Sequence, residues 1–280
     1  MQKTDNLDWL GLAIGNSRLH WAWFQGQTLL ETHNSEHFSP ENPSQFIPLR
    51  WPINIPLIMA SVVSQQTVLL KKSGLWGAIA EIQLADIPLE GIYATMGIDR
   101  ALSILGAAQT YGAPILVIDA GTALTFTAAS PSPRLPVPQS PPHPVSPSPS
   151  HPVSPSPPHP LTPSPHPLTL LGGAILPGLR LQFQVLGQKT AALPEVQLPE
   201  SLPSRWCLET EGAIASGILY TVLAGIRDFI ADWRAQFPQS AIVLTGGDAD
   251  WLQRQLLEIP GIIVDPYLIF WGMRGIICNS

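Results

Sequence analysis

Two segments of this chain are built to one plan. "LAIGNSRLHWAWF" runs from Leu12 to Phe24, and "VIDAGTALTFTAA" runs from Val117 to Ala129. Each reads as an apolar strand, a glycine turn and a second strand. Aligned on the glycines, Ala13 matches Asp119, Gly15 matches Gly121, Asn16 matches Thr122 and Ser17 matches Ala123. Glycine at such a turn permits positive φ and lets a ligand come close to the backbone. Hydroxyl and amide side chains stand beside the exposed N–H groups. Two hairpins of this kind facing each other would form an anion clamp. A chain carrying both must fold into something with two similar halves.

The second copy raises a question of its own. Asp119 closes the run Ile115 to Ile118, which reads as a buried strand. An unpaired carboxylate there is costly, so it calls for a cation, a donor cluster or a ligand.

The rest of the chain supplies the helices. Pro56 to Ser64 reads as a strand, and Thr67 to Ile82 reads as a helix with Thr67 as its N-cap. Gly97 to Gly112 reads as a helix entered through Asp99. Glu209 to Phe237 carries a long helix, and Ala241 to Leu257 reads as strand, Gly-Gly turn and helix. The order gives an α/β chain in two halves.

One stretch breaks the pattern. Ser130 to Thr169 holds 17 of the 31 prolines and four of the seven histidines, in a repeat near eight residues such as "HPVSPSPS". Prolines this dense serve neither a sheet ladder nor a helix, so an extended, mobile, polyproline II segment is expected. The spaced histidines read first as members of the repeat and only second as metal ligands. Strand-like sequence on both sides makes the segment an enlarged hairpin loop.

Composition excludes some functions. A net charge of −6 without a basic patch speaks against nucleic-acid binding. Cys207 and Cys278 match no metal or redox spacing, and reduced thiols are expected. The start "MQKTDNLDW" lacks the apolar core of a signal peptide, and the apolar stretches fall short of a membrane span. A cytoplasmic protein without membrane contact is the expectation.

An ordered set of motifs now stands out: "IGNS" at Ile14 to Ser17, "GIDR" at Gly97 to Arg100, "DAGTALT" at Asp119 to Thr125, "GGAILPG" at Gly172 to Gly178, "TAALP" at Thr190 to Pro194, "ETEGAIASG" at Glu209 to Gly217 and "TGGD" at Thr245 to Asp248. In this order they resemble the type III pantothenate kinases, members of the actin-like, ribonuclease H-like kinase superfamily. The resemblance implies an α/β fold of duplicated ribonuclease H-like domains, with mixed sheets flanked by helices. The halves would be residues 1–113 and 114–280, the second interrupted by the insert at 130–169. It also implies phosphorylation of pantothenate by ATP, the first step towards coenzyme A. With this come Mg2+ bound to ATP, a monovalent cation (K+ or NH4+), and a homodimer.

The resemblance gives the residues roles. Asp99 matches the proton acceptor for the pantothenate hydroxyl; taken alone, it reads first as a helix cap. Gly97, Ile98, Asp99, Arg100 and Tyr93 would bind pantothenate, with Arg100 facing its carboxylate. Thr210 matches a pantothenate contact supplied by the other subunit, although alone it reads equally as an N-cap. Ala13, Ile14, Gly15, Asn16, Ser17, Arg18, Leu19 and His20, with Gly121 and Thr122, match the ATP contacts. Asp119 matches the monovalent cation site. The sequence departs from the family at Ala13, where an aspartate is usual, and at Thr127, where an acid is common. An active but weaker kinase is expected, and a degenerate ATP-binding or regulatory relative is the competing reading.

Overall fold

The computed structural model describes residues 7–39, 48, 50–132 and 167–279. The octapeptide histidines therefore lie outside the described residues, as does nearly all of the expected polyproline segment. Its two ends are strand: β8 (Ala123–Pro131) runs past Ser130, and β9 (Leu168–Pro177) begins before Thr169. The insert is thus narrower than 130–169. Pro131 sits at the very end of its strand, opposite Leu168, where little of the ladder depends on its missing N–H.

The architecture is a duplication. In the first half, β1 (Asp8–Ile14), β2 (Leu19–Gln25) and β3 (Thr28–Ser35) form an antiparallel meander. On the other side of β1, β4 (Leu57–Ser61) and β5 (Ile79–Glu81) run parallel, giving the order β3-β2-β1-β4-β5. In the second half, β7 (Ile115–Ala120), β8 and β9 repeat the meander. Strands β10 (Ala241–Thr245) and β11 (Ile262–Val264) repeat the parallel pair. One short strand, β6 (Leu89–Glu90), joins the far edge of this second sheet through β9. Two mixed sheets of matching order, flanked by helices, are the duplicated ribonuclease H-like fold.

Each sheet face has its own cover. Even-numbered β1 residues Leu10, Leu12 and Ile14 pack with Trp21, Leu57 and Met59 against Leu70 of α1 (Ser64–Ser73). The odd face, with Trp9 and Ala13, meets a central layer made by α2 (Ile98–Tyr111) and α6 (Leu268–Asn279). The same layer covers Ile115, Val117 and Val243 of the second sheet. The outer face of that sheet carries Leu116, Ile118 and Phe126. It is covered by α3 (Leu179–Lys189), α4 (Thr210–Gln236) and α5 (Ala249–Gln255). Alternate strand residues thus serve different cores, as a period of two requires.

The helices differ from expectation in two places. α1 begins at Ser64, three residues before Thr67, and its cap is Val63 without a side-chain bond. Thr67 is buried inside the helix. The helix also ends early, because Gly74 takes the left-handed conformation at φ 64° and stops it. α4 is the second case. It is 27 residues long and apolar enough to cross a membrane by length and composition. Its apolar residues Ile214, Ile218, Leu219, Val222, Leu223, Ile226 and Ile230 recur at helical spacing and are packed in the core.

Candidate active site

The two glycine turns meet. Ser17 Oγ and Thr122 Oγ1 lie 2.7 Å apart, joining hairpins separated by 105 residues of chain. The first turn is closed by the Gly15 N–H donating to Arg18 O at 3.0 Å, the second by the Gly121 N–H donating to Ala123 O at 3.1 Å. Neither Gly15 nor Gly121 has positive φ, contrary to the usual reason for glycine at a turn. A side chain added at either would come no nearer than 3.4 Å to a neighbour. What both glycines leave is open approach to the backbone. Asn16, Ser17 and Thr122 are exposed, and no acceptor among the described residues pairs with the N–H of Asn16 or Ser17.

Not every residue of the first turn faces this gap. Ile14 and Leu19 point into the outer core of the first sheet, and Ala13 is 3% exposed in the central core. Only their backbones are available to a ligand. His20 is partly buried, with Nδ1 2.8 Å from Asn34 Oδ1. Burial holds its pKa below the ordinary value, Asn34 opposes this, and Arg18 adds to it.

Asp119 is the penultimate residue of β7, directly before the second turn. It pairs with Thr125 on β8 and Thr245 on β10, so polar residues cluster on the face turned towards α2. The residue keeps some contact with solvent, yet its carboxyl is hemmed in by protein. Burial and the neighbouring Asp99 carboxylate push its pKa up to about 7, with Arg100 pulling the other way. Gly246, at φ +90°, closes over it: a Cβ there would lie 2.5 Å from Asp119 Oδ1 and 2.6 Å from Ala120 C. The next turn residues hold on, with the Asp248 N–H donating to Ala120 O at 3.0 Å and Asp248 Oδ1 pairing with Arg180 Nε at 2.9 Å. Thr125 Oγ1 is buried and has no hydrogen-bond partner among the described residues. A raised carboxyl opposite an orphaned hydroxyl is an all-oxygen donor set, which suits a hard cation.

Asp99 approaches from α2. The helix cap is Gly97, not Asp99, which lies in the first turn where the positive end of the helix favours a carboxylate. Its Oδ1 accepts from the Arg100 N–H at 2.8 Å. The carboxylate folds back over Gly97, and a Cβ at 97 would lie 2.4 Å from Oδ1. Glycine is needed there to leave Asp99 its place. The Ile98 side chain, 9% exposed, packs in the central core and offers only backbone.

Arg100 is 7% exposed, so a surface salt bridge is excluded. Nε donates to Thr127 Oγ1 at 3.1 Å, one terminal nitrogen to Tyr93 OH at 2.9 Å and the other to Phe126 O at 3.2 Å. Among the described residues it has no ion-pair partner. Three of five donors are used, leaving two N–H groups on a buried cation for an anion. Tyr93 is half exposed and tied to this group. Thr210 stands apart. It is the exposed first residue of α4, with Glu209 as cap accepting from Gly212 N at 2.6 Å. It borders a shallow depression with Cys207 and Leu208, and no hydrogen bond or ion pair links it to Asp99 or Arg100.

Thr125, Gly178 and Gly246 were not predicted as site residues, and Thr127 was noted only as a departure from the family. The threonines alternate on one strand opposite Asp119, a polar period of two in an otherwise apolar run, and that pattern was available in the sequence. Gly178 was not: its need for glycine comes from a Cβ position 2.1 Å from Gly121 O.

Comparison with known proteins places this geometry in a family. The sequence model of the type III pantothenate kinases matches residues 9–134 and 167–232. A type III pantothenate kinase of Nostoc sp. is 40% identical over 300 residues, covering 97% of this chain and 95% of that protein. One from Synechocystis sp. is 38% identical over 275 residues, covering 96% and 90%. Among solved structures, a Campylobacter jejuni protein described as a Baf family transcriptional activator aligns with a TM-score of 0.54 and 20% identity. It covers 96% of this chain and 97% of its own, a likeness of fold. The chain belongs to the type III pantothenate kinase family.

Proposed function

We propose that this chain transfers the γ-phosphoryl group of ATP to pantothenate, giving 4'-phosphopantothenate and ADP in the first step of coenzyme A synthesis. The observation that carries the reading is the meeting of the two glycine turns at Ser17 and Thr122, with the Asp99 and Asp119 carboxylates beside them. The free N–H groups of Asn16 and Ser17, with the Thr122 hydroxyl, cradle the phosphates. Asp99 accepts the proton of the pantothenate hydroxyl as that oxygen bonds to Pγ and the bond from Pγ to the ADP oxygen breaks. Transfer of this kind is largely dissociative, so positioning and charge neutralisation outweigh base strength. Arg100 receives the pantothenate carboxylate on its two unused N–H groups, steadied by Thr127 and Tyr93. "TGGD" at Thr245 to Asp248 lies where the nucleoside would rest.

ATP in such kinases carries a divalent metal. A monovalent cation, K+ or NH4+, fits Asp119 and Thr125, and would supply charge balance for the buried acid and the phosphates. We assign residues 1–113 and 114–280 to the two halves, although β6 pairs with the second sheet and α6 packs on α2, so each half lends an element to the other. The reading also includes a cytoplasmic homodimer with no nucleic-acid or membrane partner. Support for the dimer comes from Trp206 and Leu208, 89% and 107% exposed beside Thr210, a surface that would bring Thr210 to a neighbour's site.

Mass spectrometry of products from ATP, Mg2+ and pantothenate, with and without K+, tests the reading. Phosphopantothenate is expected, and more of it with K+. Asp99→Asn should cut turnover by about 10²–10⁴ while ATP binding persists. No phosphopantothenate under any cation, with ATP still bound, would favour a degenerate relative instead.

A further inference from the structure

His37 contacts the first glycine turn from outside the segment that defines it. Its Nε2 lies 2.8 Å from Gly15 O, 22 residues away in sequence. A carbonyl oxygen only accepts, so Nε2 carries the proton and donates. The contact is built in. The next residue, Phe38, is 5% exposed and packs edge-on against Trp21. Its N–H donates to Gln66 Oε1 at 2.7 Å, and Gln66 Nε2 donates back to Phe38 O at 3.2 Å. Gln66 lies on α1 and is 8% exposed. The backbone presenting His37 is therefore pinned to a helix of the first half. On another side of the turn, His20 Nε2 lies 4.0 Å from the position a Gly15 Cβ would take.

The peptide between Gly15 and Asn16 is trans. In a trans peptide the C=O and N–H point in opposite directions. Holding the carbonyl at His37 thus aims the Asn16 N–H the other way, where it has no acceptor among the described residues. A hydrogen bond on the carbonyl also polarises the amide and strengthens its N–H as a donor. Ala13 places no carboxylate at the turn end of β1, so backbone donors carry more of the phosphate contact.

We infer that His37 is a positioning residue of the nucleotide turn: it clamps the Gly15 carbonyl and directs the Asn16 N–H at the ATP phosphates. The inference rests on the reading of that turn as a phosphate contact, and the test separates the two. Steady-state kinetics are measured on the full chain with ATP and pantothenate each varied, for the parent, His37→Leu, His37→Gln and Ser17→Asp. Losing one neutral hydrogen bond should raise KM for ATP about fivefold in His37→Leu, with kcat and the pantothenate KM within about twofold. Glutamine reaches as far with an N–H donor, so His37→Gln should restore most of the ATP affinity. His37→Asn, polar but too short, should show the same loss if the leucine variant does not fold. An unchanged ATP KM in His37→Leu, alongside a raised one in Ser17→Asp, overturns the inference alone. A glutamine variant as weak as the leucine one also overturns it. A silent Ser17→Asp overturns the reading of the turn itself.

Discussion

Ala13 and Asp119 occupy matching places on β1 and β7, each facing the central helical layer. One is a methyl group in the core, the other a carboxyl whose pKa is pushed up to about 7. The difference gives two predictions. Asp119 is an acid raised above its unfolded value, so its contribution to stability is whole below about pH 4 and is lost as pH rises through about 7. In buffer free of metal cations, Asp119→Asn should match the parent near pH 4. It should exceed the parent at pH 8 by on the order of 2 kcal/mol, allowing for partial solvent screening. Urea titrations at the two pH values check this, and added K+ should narrow the gap at pH 8. Ala13→Asp supplies the acid that the resemblance leads one to expect, but at a site with 3% exposure. It should cost about 2–4 kcal/mol in apo protein and recover part of that with Mg2+ and ATP. Thermal melts with and without nucleotide check it. A sequence alignment of the two hairpins identifies the pair. It cannot say that Ala13 has become core, because that depends on α2 and α6 filling the space in front of it.

At the scale of elements, the two hairpins, β4, β10, α2 and α4 were legible, whereas the short strands β6 and β11 were not, and β5 lies inside the stretch read as a helix to Ile82. β1 and β7 are continuous apolar runs buried on both faces, and α4 carries apolar residues at spacings of three and four. The start of α1 was not, because Thr67 looks like a cap, whereas burial of Gln66, Thr67 and Leu70 pulls the helix back to Ser64. The meeting of α2 and α6 was equally hidden. A Cβ on Gly106 would lie 2.1 Å from Leu268 O, and one on Gly272 would lie 2.2 Å from Leu102 O. These are backbone atoms, so neither helix can yield alone. Gly106→Ala and Gly272→Ala should each destabilise the chain by about 1–3 kcal/mol or more, despite alanine's better helix propensity. Chemical denaturation of the two variants decides this. Gly97 poses a related case with a different outcome. Its crowding partner is the Asp99 carboxylate, so Gly97→Ala should spare stability and lower kcat, as Asp99 is pushed from its place.

For the molecule as a whole, the duplication was legible from two short hairpins, and the sheet orders repeat as the hairpins imply. What the sequence could not convey is the exchange across the halves, with β6 on the second sheet and α6 against α2. Nor does it give the insert's true bounds. Ser132 N donates to Pro167 O at 2.8 Å, so the two strand ends are already closed on each other. Replacing residues 134–165 by a short glycine-serine turn should leave the melting temperature and kinase activity near those of the parent. Removing 130–169 should not, because it takes residues from β8 and β9. The proposed phosphoryl transfer depends on how the two glycine turns and Asp99 meet the substrates. A structure of the chain with a non-hydrolysable ATP analogue and pantothenate tests that most directly. It should place the terminal phosphates against both turns, with an Asp99 oxygen about 2.6–3.2 Å from the pantothenate hydroxyl. Phosphates held by one turn only, or an Asp99 carboxylate directed away from that hydroxyl, would contradict it.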